Sequence, residues 1–309
     1  MEELVQYSQV VGPRRSAVVA AADPTPGHGE VLVRVGAAGV CASEYHGWSE
    51  HDGEEPVRFG HEVTGTIVDL GADSRGWQIG DRVTGFGGPG FADLVVMRAD
   101  ALLPVPAGIP DEHALGEPLA CIAEALYRTP IGPSDRVVVV GTGFMGLGFL
   151  QLARLAGPAE LIAVDLQAHL REVALALGAT AAYHPDELPE RLRAGMTVAV
   201  EAGGTPGALT LAGELAAEHG TLCILGYHAR GARELDLNWW YKGLSVVHGF
   251  TPQRARTMRA MAEGLDLIAS HRFTYQPLIT HRFDLSGVDA AFACFTDRPA
   301  GFIKSVVIP

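Results

Sequence analysis

Lysine is almost missing from this sequence. Among its 23 basic residues only Lys242 and Lys304 are lysines, and no stretch concentrates positive charge. With a formal net charge of -13, the chain would be repelled by nucleic acid and by anionic membrane, so neither is expected as a main partner. Cysteine is equally sparse. Cys41, Cys121, Cys223 and Cys294 stand far apart with no C-x-x-C pair, which excludes a disulfide framework and leaves reduced thiols or single metal ligands. There is no unbroken apolar run of about 20 residues, the length a spanning helix needs. The most apolar stretch, Val137 to Ala153, is interrupted by Gly141, Gly143, Gly146 and Gly148. The opening MEELVQYSQVVGPRRS carries early acids and no apolar leader segment, so a cytoplasmic protein is expected.

What is present is enough apolar material for a large core. A chain of 309 residues with 48% hydrophobic content points to two domains. From Ser16 to Asp100 the pattern is of short strands (SAVVAA, EVLVRVGAAG, EVTGTIVDLG, DRVTGF, FADLVVM) separated by Gly, Pro and Asp, which predicts a β-rich domain. From Arg136 the rhythm changes to apolar strand, glycine turn, helix, strand and helix, the alternation of a doubly wound α/β domain on a parallel sheet. TVAVEAGG and TLCILGY continue it as strands, with GALTLAGELAA as the helix between them. LITHRFDLSGVDAAFACF and GFIKSVVIP read as strand, helix and strand returning to the first domain. The expected division is 1–125 with 276–309, and 126–275.

RVVVVGTGFMGLGFLQLARLAG places Gly141, Gly143 and Gly146 after a strand and at the opening of a helix. There the first glycine makes a tight turn, the second lets backbone approach a pyrophosphate and the third allows close helix packing. The helix start, with Phe144 and Met145, offers unpaired N–H groups and partial positive charge to phosphates. A second strand, ELIAVD, ends in Asp165, 19 positions beyond Gly146. An acid there binds the ribose hydroxyls of NAD and repels the phosphate of NADP, and no basic residue follows until Arg171. The plainer reading, in which the glycines only shape a turn and Asp165 caps a helix, is weakened by the agreement of all five features.

In the β-rich half, GVCASEYHGW precedes FGHEVTGTIVDLG, and LGEPLACIAEAL follows. These segments resemble the zinc-dependent medium-chain dehydrogenase family, in its sorbitol, glucose and threonine dehydrogenase branch, and the resemblance runs along nearly the whole chain. It implies a GroES-like catalytic domain joined to a Rossmann domain. It also implies a zinc ion held by Cys41, His61 and Glu117, a mixed S, N, O set with an open position suited to catalytic zinc. Glu62 would lie beside the metal as an outer acid or alternative ligand, so Glu117, Glu62 or water completes the shell. Glu44 takes the place of a family aspartate that orients the ligand histidine.

Ser43 and His46 match the family's proton relay, with the hydroxyl next to the substrate oxygen and the histidine near solvent. By the same resemblance Cys121 lines the nicotinamide pocket, and His51 is an outside candidate for the substrate pocket. The family's four-cysteine lobe for a structural zinc has no counterpart in DRVTGFGGPGFADLVVM, so a single catalytic zinc is expected. Trp48, Trp239, Trp240 and Tyr241 read as core or subunit interface rather than a substrate wall. The implied activity is NAD-linked oxidation of a secondary alcohol in a polyol, sugar or cyclitol. The implied assembly is a homodimer or homotetramer joined around SVVHGF. A zinc-free quinone or enoyl reductase using NADPH is disfavoured by Cys41, His61 and Asp165. A catalytically inactive dinucleotide-binding protein is disfavoured by Ser43 and His46.

Overall fold

The structure is a computed structural model that describes residues 4–309. Strands β1 (Leu4–Gly12) and β2 (Arg15–Ala22) form an antiparallel ribbon whose turn carries Arg14 at φ +53°. Strand β3 (Glu30–Gly39) is the hub of the β-rich unit. It is followed by the short helix α1 (Tyr45–Ser49) and then by β4 (Glu62–Leu70), β5 (Arg82–Phe86), β6 (Leu94–Arg98) and β7 (Leu102–Pro104).

Register shifts between Leu32 and Val33 and between Val35 and Ala37 mark bulges in β3 against β4, and bulges bend a strand and increase its twist. On its other edge β3 is shared. Glu30–Arg34 pair with β6, and Ala38 and Gly39 pair with the last strand of the chain. The core within this sheet is built from Val31, Val33, Val63, Ile67 and Phe91, with Trp48 stacked on Phe292 at 5.3 Å. Trp48 also donates from Nε1 to Asp289 at 2.7 Å, so it is a core residue with its polar atom satisfied.

Helix α2 (Gly116–Arg128) leads into the second unit, in which β8 (Arg136–Val140), α3 (Phe144–Leu155), β9 (Glu160–Val164), α4 (Ala168–Ala176) and β10 (Ala181–Tyr183) alternate. They are followed by β11 (Met196–Glu201), α5 (Pro206–Leu215), β12 (Ala216–Ile224), α6 (Leu237–Tyr241) and β13 (Ser245–His248). All pairings are parallel, in the order β10-β9-β8-β11-β12-β13. The unbroken burial of Val137–Val140 and Leu161–Val164 is what a parallel sheet covered on both faces demands of its central strands. The order reverses between β8 and β11, the point at which such sheets bind ligands at the carboxyl ends of their strands.

After α7 (Arg254–Ala269), strand β14 (Ile279–Phe283), helix α8 (Val288–Asp297) and β15 (Lys304–Val307) rejoin the first sheet. The chain divides into two compact units. Residues up to Leu119 with Met261–Pro309 form one, and Ala120–Ala260 form the other. Both divisions fall inside helices, whereas the change of sequence rhythm placed them at 125 and 275. Helical periodicity continues across such a point and leaves no mark of it in the residue pattern. Among the described residues no helix is long and apolar enough to cross a membrane.

Candidate functional site

Cys41 and His61 meet because of strand register. Gly39 at the end of β3 pairs with Glu62 at the start of β4, so Cys41, two residues past Gly39, and His61, one residue before Glu62, leave the same end of the sheet. One ligand atom from each of Cys41, His61 and Glu62 lies within 4.8 Å of the others, and this is the only such metal-sized group among the described residues. Glu117 stands outside it, half-buried in the first turn of α2.

The turn Ala42–Glu44 carries Glu44 back beneath His61. Glu44 is buried, and its Oε1 accepts from Gly60 N at 2.8 Å and from His61 Nδ1 at 2.7 Å. A carboxylate only accepts, so Nδ1 carries a hydrogen, and Nε2 is the nitrogen that would offer its lone pair to a metal once its own proton is displaced. Burial is the largest single influence on His61 and disfavours its charged form. Hydrogen bonds to Cys41 and Glu44 and the charges of Glu44 and Glu62 outweigh it, and the imidazole is pushed up to about 12. Such a histidine, crowded by anionic groups, is a cation site. Glu44 Oε2 is buried without a hydrogen-bond partner, a costly state that a nearby bound cation relieves. The thiol, imidazole and carboxylate donor set fits zinc.

Around this group Ser43 Oγ donates to Cys41 Sγ at 3.3 Å. His46 lies on α1 with Nδ1 2.9 Å from Glu50 Oε1, at the partly exposed edge of the unit. Cys121 is half-buried one turn along α2 from Glu117. Trp239 joins the core of the second unit, while Trp240 and Tyr241 are exposed.

The second unit carries the glycine turn. Gly141 has φ +88°, and a Cβ there would stand 2.5 Å from Gly203 N in the loop after β11. A side chain is therefore excluded by both conformation and space. A Cβ on Gly146 would meet Gly141 O at 2.0 Å, whereas one on Gly143 would meet nothing within 4 Å. Gly143 thus faces open space beside the first N–H groups of α3, at Phe144 and Met145, a cradle of the shape and polarity a phosphate needs. Asp165 holds this turn: Oδ2 accepts from Thr142 N at 2.7 Å, and Oδ1 accepts from Gln167 N at 2.9 Å. Arg171 donates through Nη1 to the carbonyls of Asp165 and Leu166.

One network escaped the sequence reading. Glu201, fully buried at the end of β11, accepts from Gly204 N at 2.6 Å and lies 2.8 Å from His228 Nε2. Arg233 Nε donates to His228 Nδ1 at 2.8 Å, so the imidazole carries its hydrogen on Nε2 and gives it to Glu201. The signal available was an acid closing an otherwise apolar strand, VAVE. His228 and Arg233 stand in a loop without a pattern.

A GroES-like β unit with a thiol, imidazole and carboxylate group, joined to a doubly wound unit with a phosphate cradle at its switch point, defines a metal-type dehydrogenase architecture. Two family models match the chain. One is described as the alcohol dehydrogenase GroES-like domain, over residues 27–107, and the other as zinc-binding dehydrogenase, over residues 145–270. A sorbitol dehydrogenase from Halalkalibacterium halodurans is 29% identical, with 100% of this chain and 99% of that protein covered. An L-threonine 3-dehydrogenase from Paraburkholderia phymatum is 26% identical, with coverage of 90% and 92%. A solved structure from Sinorhizobium meliloti 1021, assigned provisionally as a zinc-binding dehydrogenase and bound to NADP, has a TM-score of 0.86 and 26% identity, covering 99% of this chain and 100% of that one. The chain belongs to the zinc-dependent medium-chain alcohol and polyol dehydrogenase family, and it is an oxidoreductase of the dehydrogenase type.

Proposed function

We propose that this protein is a zinc- and NAD-dependent dehydrogenase that reversibly oxidises a secondary alcohol of a polyol, sugar or cyclitol in the cytoplasm. The observation that carries this reading is the convergence of Cys41, His61 and Glu62, with His61 held by Glu44. Zinc held at this group would supply Lewis acidity for a substrate hydroxyl, and NAD held in the cradle of the second unit would supply hydride-accepting chemistry.

Each protein group has a separate task. Cys41 and His61 would hold the metal, and Glu117, Glu62 or water would complete its shell. Glu44 fixes the imidazole plane. Ser43 takes the substrate proton, and His46, turned by Glu50, passes it towards solvent. Gly141, Gly143, Gly146, Phe144 and Met145 seat the pyrophosphate. Asp165 favours NAD, since a 2′-phosphate there would meet a carboxylate, in contrast to the NADP found in the Sinorhizobium structure. The kinship with a sorbitol dehydrogenase supports a polyhydroxylated substrate.

Strand β13 is an edge of its sheet, with Leu237, Trp240, Tyr241 and Phe250 exposed near it in the chain. Exposed apolar groups beside a sheet edge support a homodimer or homotetramer formed there. The test of the function is elemental mass spectrometry of the dialysed protein followed by a polyol and cyclitol panel with NAD. One zinc per chain and NAD-linked turnover that Cys41→Ser and His61→Ala abolish is the expected result. No zinc uptake, with NADPH-linked reduction of quinones or enones instead, would replace it with the zinc-free reductase reading.

A further inference from the structure

Lys304 stands where a lysine is least expected. All four residues of β15 are buried, and the Lys304 side chain is 5% exposed. Its Nζ donates to Glu62 Oε1 at 2.8 Å and lies 2.6 Å from Oε2. The same carboxylate belongs to the group formed with Cys41 and His61.

Strand geometry makes the meeting possible. β15 and β4 flank β3, and Gly39 is paired with both Val306 and Glu62. A Cβ on Gly39 would stand 1.9 Å from Glu62 Oε2, so a missing side chain opens the space in which Glu62 and Lys304 touch. The residue type matters too. Every other basic residue except Lys242 is arginine, yet a guanidinium fork would claim both carboxylate oxygens in fixed geometry. An ammonium is a point charge that leaves lone pairs for a second cation.

We propose that Lys304 is a positioning residue for the metal centre: it shares the Glu62 carboxylate with the bound cation and so sets how strongly Glu62 acts as a ligand. This rests on the metal reading given above. With the ammonium present, part of the Glu62 charge is already neutralised and a divalent ion is repelled. Without it, Glu62 is a buried anion that has lost its ammonium partner and faces the metal group beside His61.

The test is zinc affinity by chelator competition, together with the visible spectrum of the cobalt-substituted protein. Both are measured on the full chain as wild type, Lys304→Met, Glu62→Gln and the double variant. Lys304→Met is expected to tighten zinc binding by about tenfold or more, the scale on which partners of metal ligands act, and to alter the cobalt bands as the carboxylate enters the shell. In the Glu62→Gln background, where no carboxylate remains to be shared, the same change is expected to shift zinc affinity by about threefold or less, and a tenfold gain there would overturn the proposal by showing that Lys304 acts through repulsion alone. That comparison decides the matter if Lys304→Met alone does not fold. Unchanged zinc affinity and cobalt bands on removal of Lys304 would reduce it to a structural ion pair. A wild-type chain that takes up no metal would overturn the metal reading itself.

Discussion

Glu44 accepts a hydrogen bond from His61 Nδ1 at 2.7 Å and from Gly60 N at 2.8 Å through the same oxygen, so one buried carboxylate fixes both the imidazole and the backbone that carries it. Removing it frees the ring and lowers its basicity. Glu44→Ala is expected to weaken zinc binding by about 10- to 100-fold. Glu44→Gln keeps an acceptor oxygen but no charge, and should fall between that variant and the wild type. Chelator competition monitored beside circular dichroism separates the effect from unfolding. Equal affinities in all three proteins would sink the orienting role.

The four thiols should differ sharply in reactivity. Burial pushes the Cys223 thiol up to about 11, and Cys294 is also raised by burial. Cys41 and Cys121 are half-buried and within reach of reagent. Because the thiolate is the nucleophile, iodoacetamide at neutral pH is expected to leave Cys223 intact and to modify Cys41 in the metal-free protein. Zinc should protect Cys41. Peptide mapping by mass spectrometry reads this directly, and a Cys41 alkylated at the same rate with and without zinc would remove it from the ligand set.

What could be read in the residues was what is local. The glycine turn was legible because strand, Gly141 and helix follow one another within a few positions, and the steric demand on Gly141 is met inside the same loop and its neighbour at Gly203. Cys41 and His61 are legible only through resemblance, since nothing in the residues between them reveals that Gly39 and Glu62 share a register. The same limit hid Lys304, whose partner lies 242 positions away, and the joining of Glu201 to His228 across a strand end. Strand β1 carries no clear periodic signal either. Its alternation, Val5, Tyr7, Gln9 against Gln6, Ser8, Val10, mixes polar and apolar residues on both faces, as befits a ribbon buried only in part.

Acid stability should depend on Glu112. Both of its oxygens accept from Arg282, each at 2.7 Å, tying the turn Asp111–His113 to β14. The Arg282 hydrogen bonds hold the Glu112 carboxyl below its ordinary value, against the opposing effect of burial. A depressed folded value means that the stabilisation is complete above the unfolded value, near 4.5, and is lost as pH falls through the lower folded one. Solvent screening limits the pair to about 1 kcal/mol or less. Glu112→Gln is therefore expected to lower the melting temperature slightly at pH 7 and to lower it less near pH 3. A variant that loses equal stability at both pH values would show that packing, not charge, is what Glu112 supplies.

Asp165 has two roles that substitution can separate. Its two oxygens accept from Thr142 N and Gln167 N, so the carboxylate closes the glycine turn and also places negative charge where the adenosine ribose is expected. Asparagine offers one acceptor and one donor in that position. It can satisfy only one of the two N–H groups and sets an amide N–H against the other. Asp165→Asn should therefore weaken NAD binding by about tenfold, the cost of a lost charge-assisted hydrogen bond. It also removes the repulsion that a 2′-phosphate would meet, so NADP should lose less affinity than NAD, or gain. Calorimetric titration of both dinucleotides into wild type and variant measures the ratio without turnover. If NAD and NADP weaken together, Asp165 acts only through the turn it holds, and cofactor choice resides elsewhere in the second unit; if neither changes, the cradle after β8 is not where the dinucleotide binds.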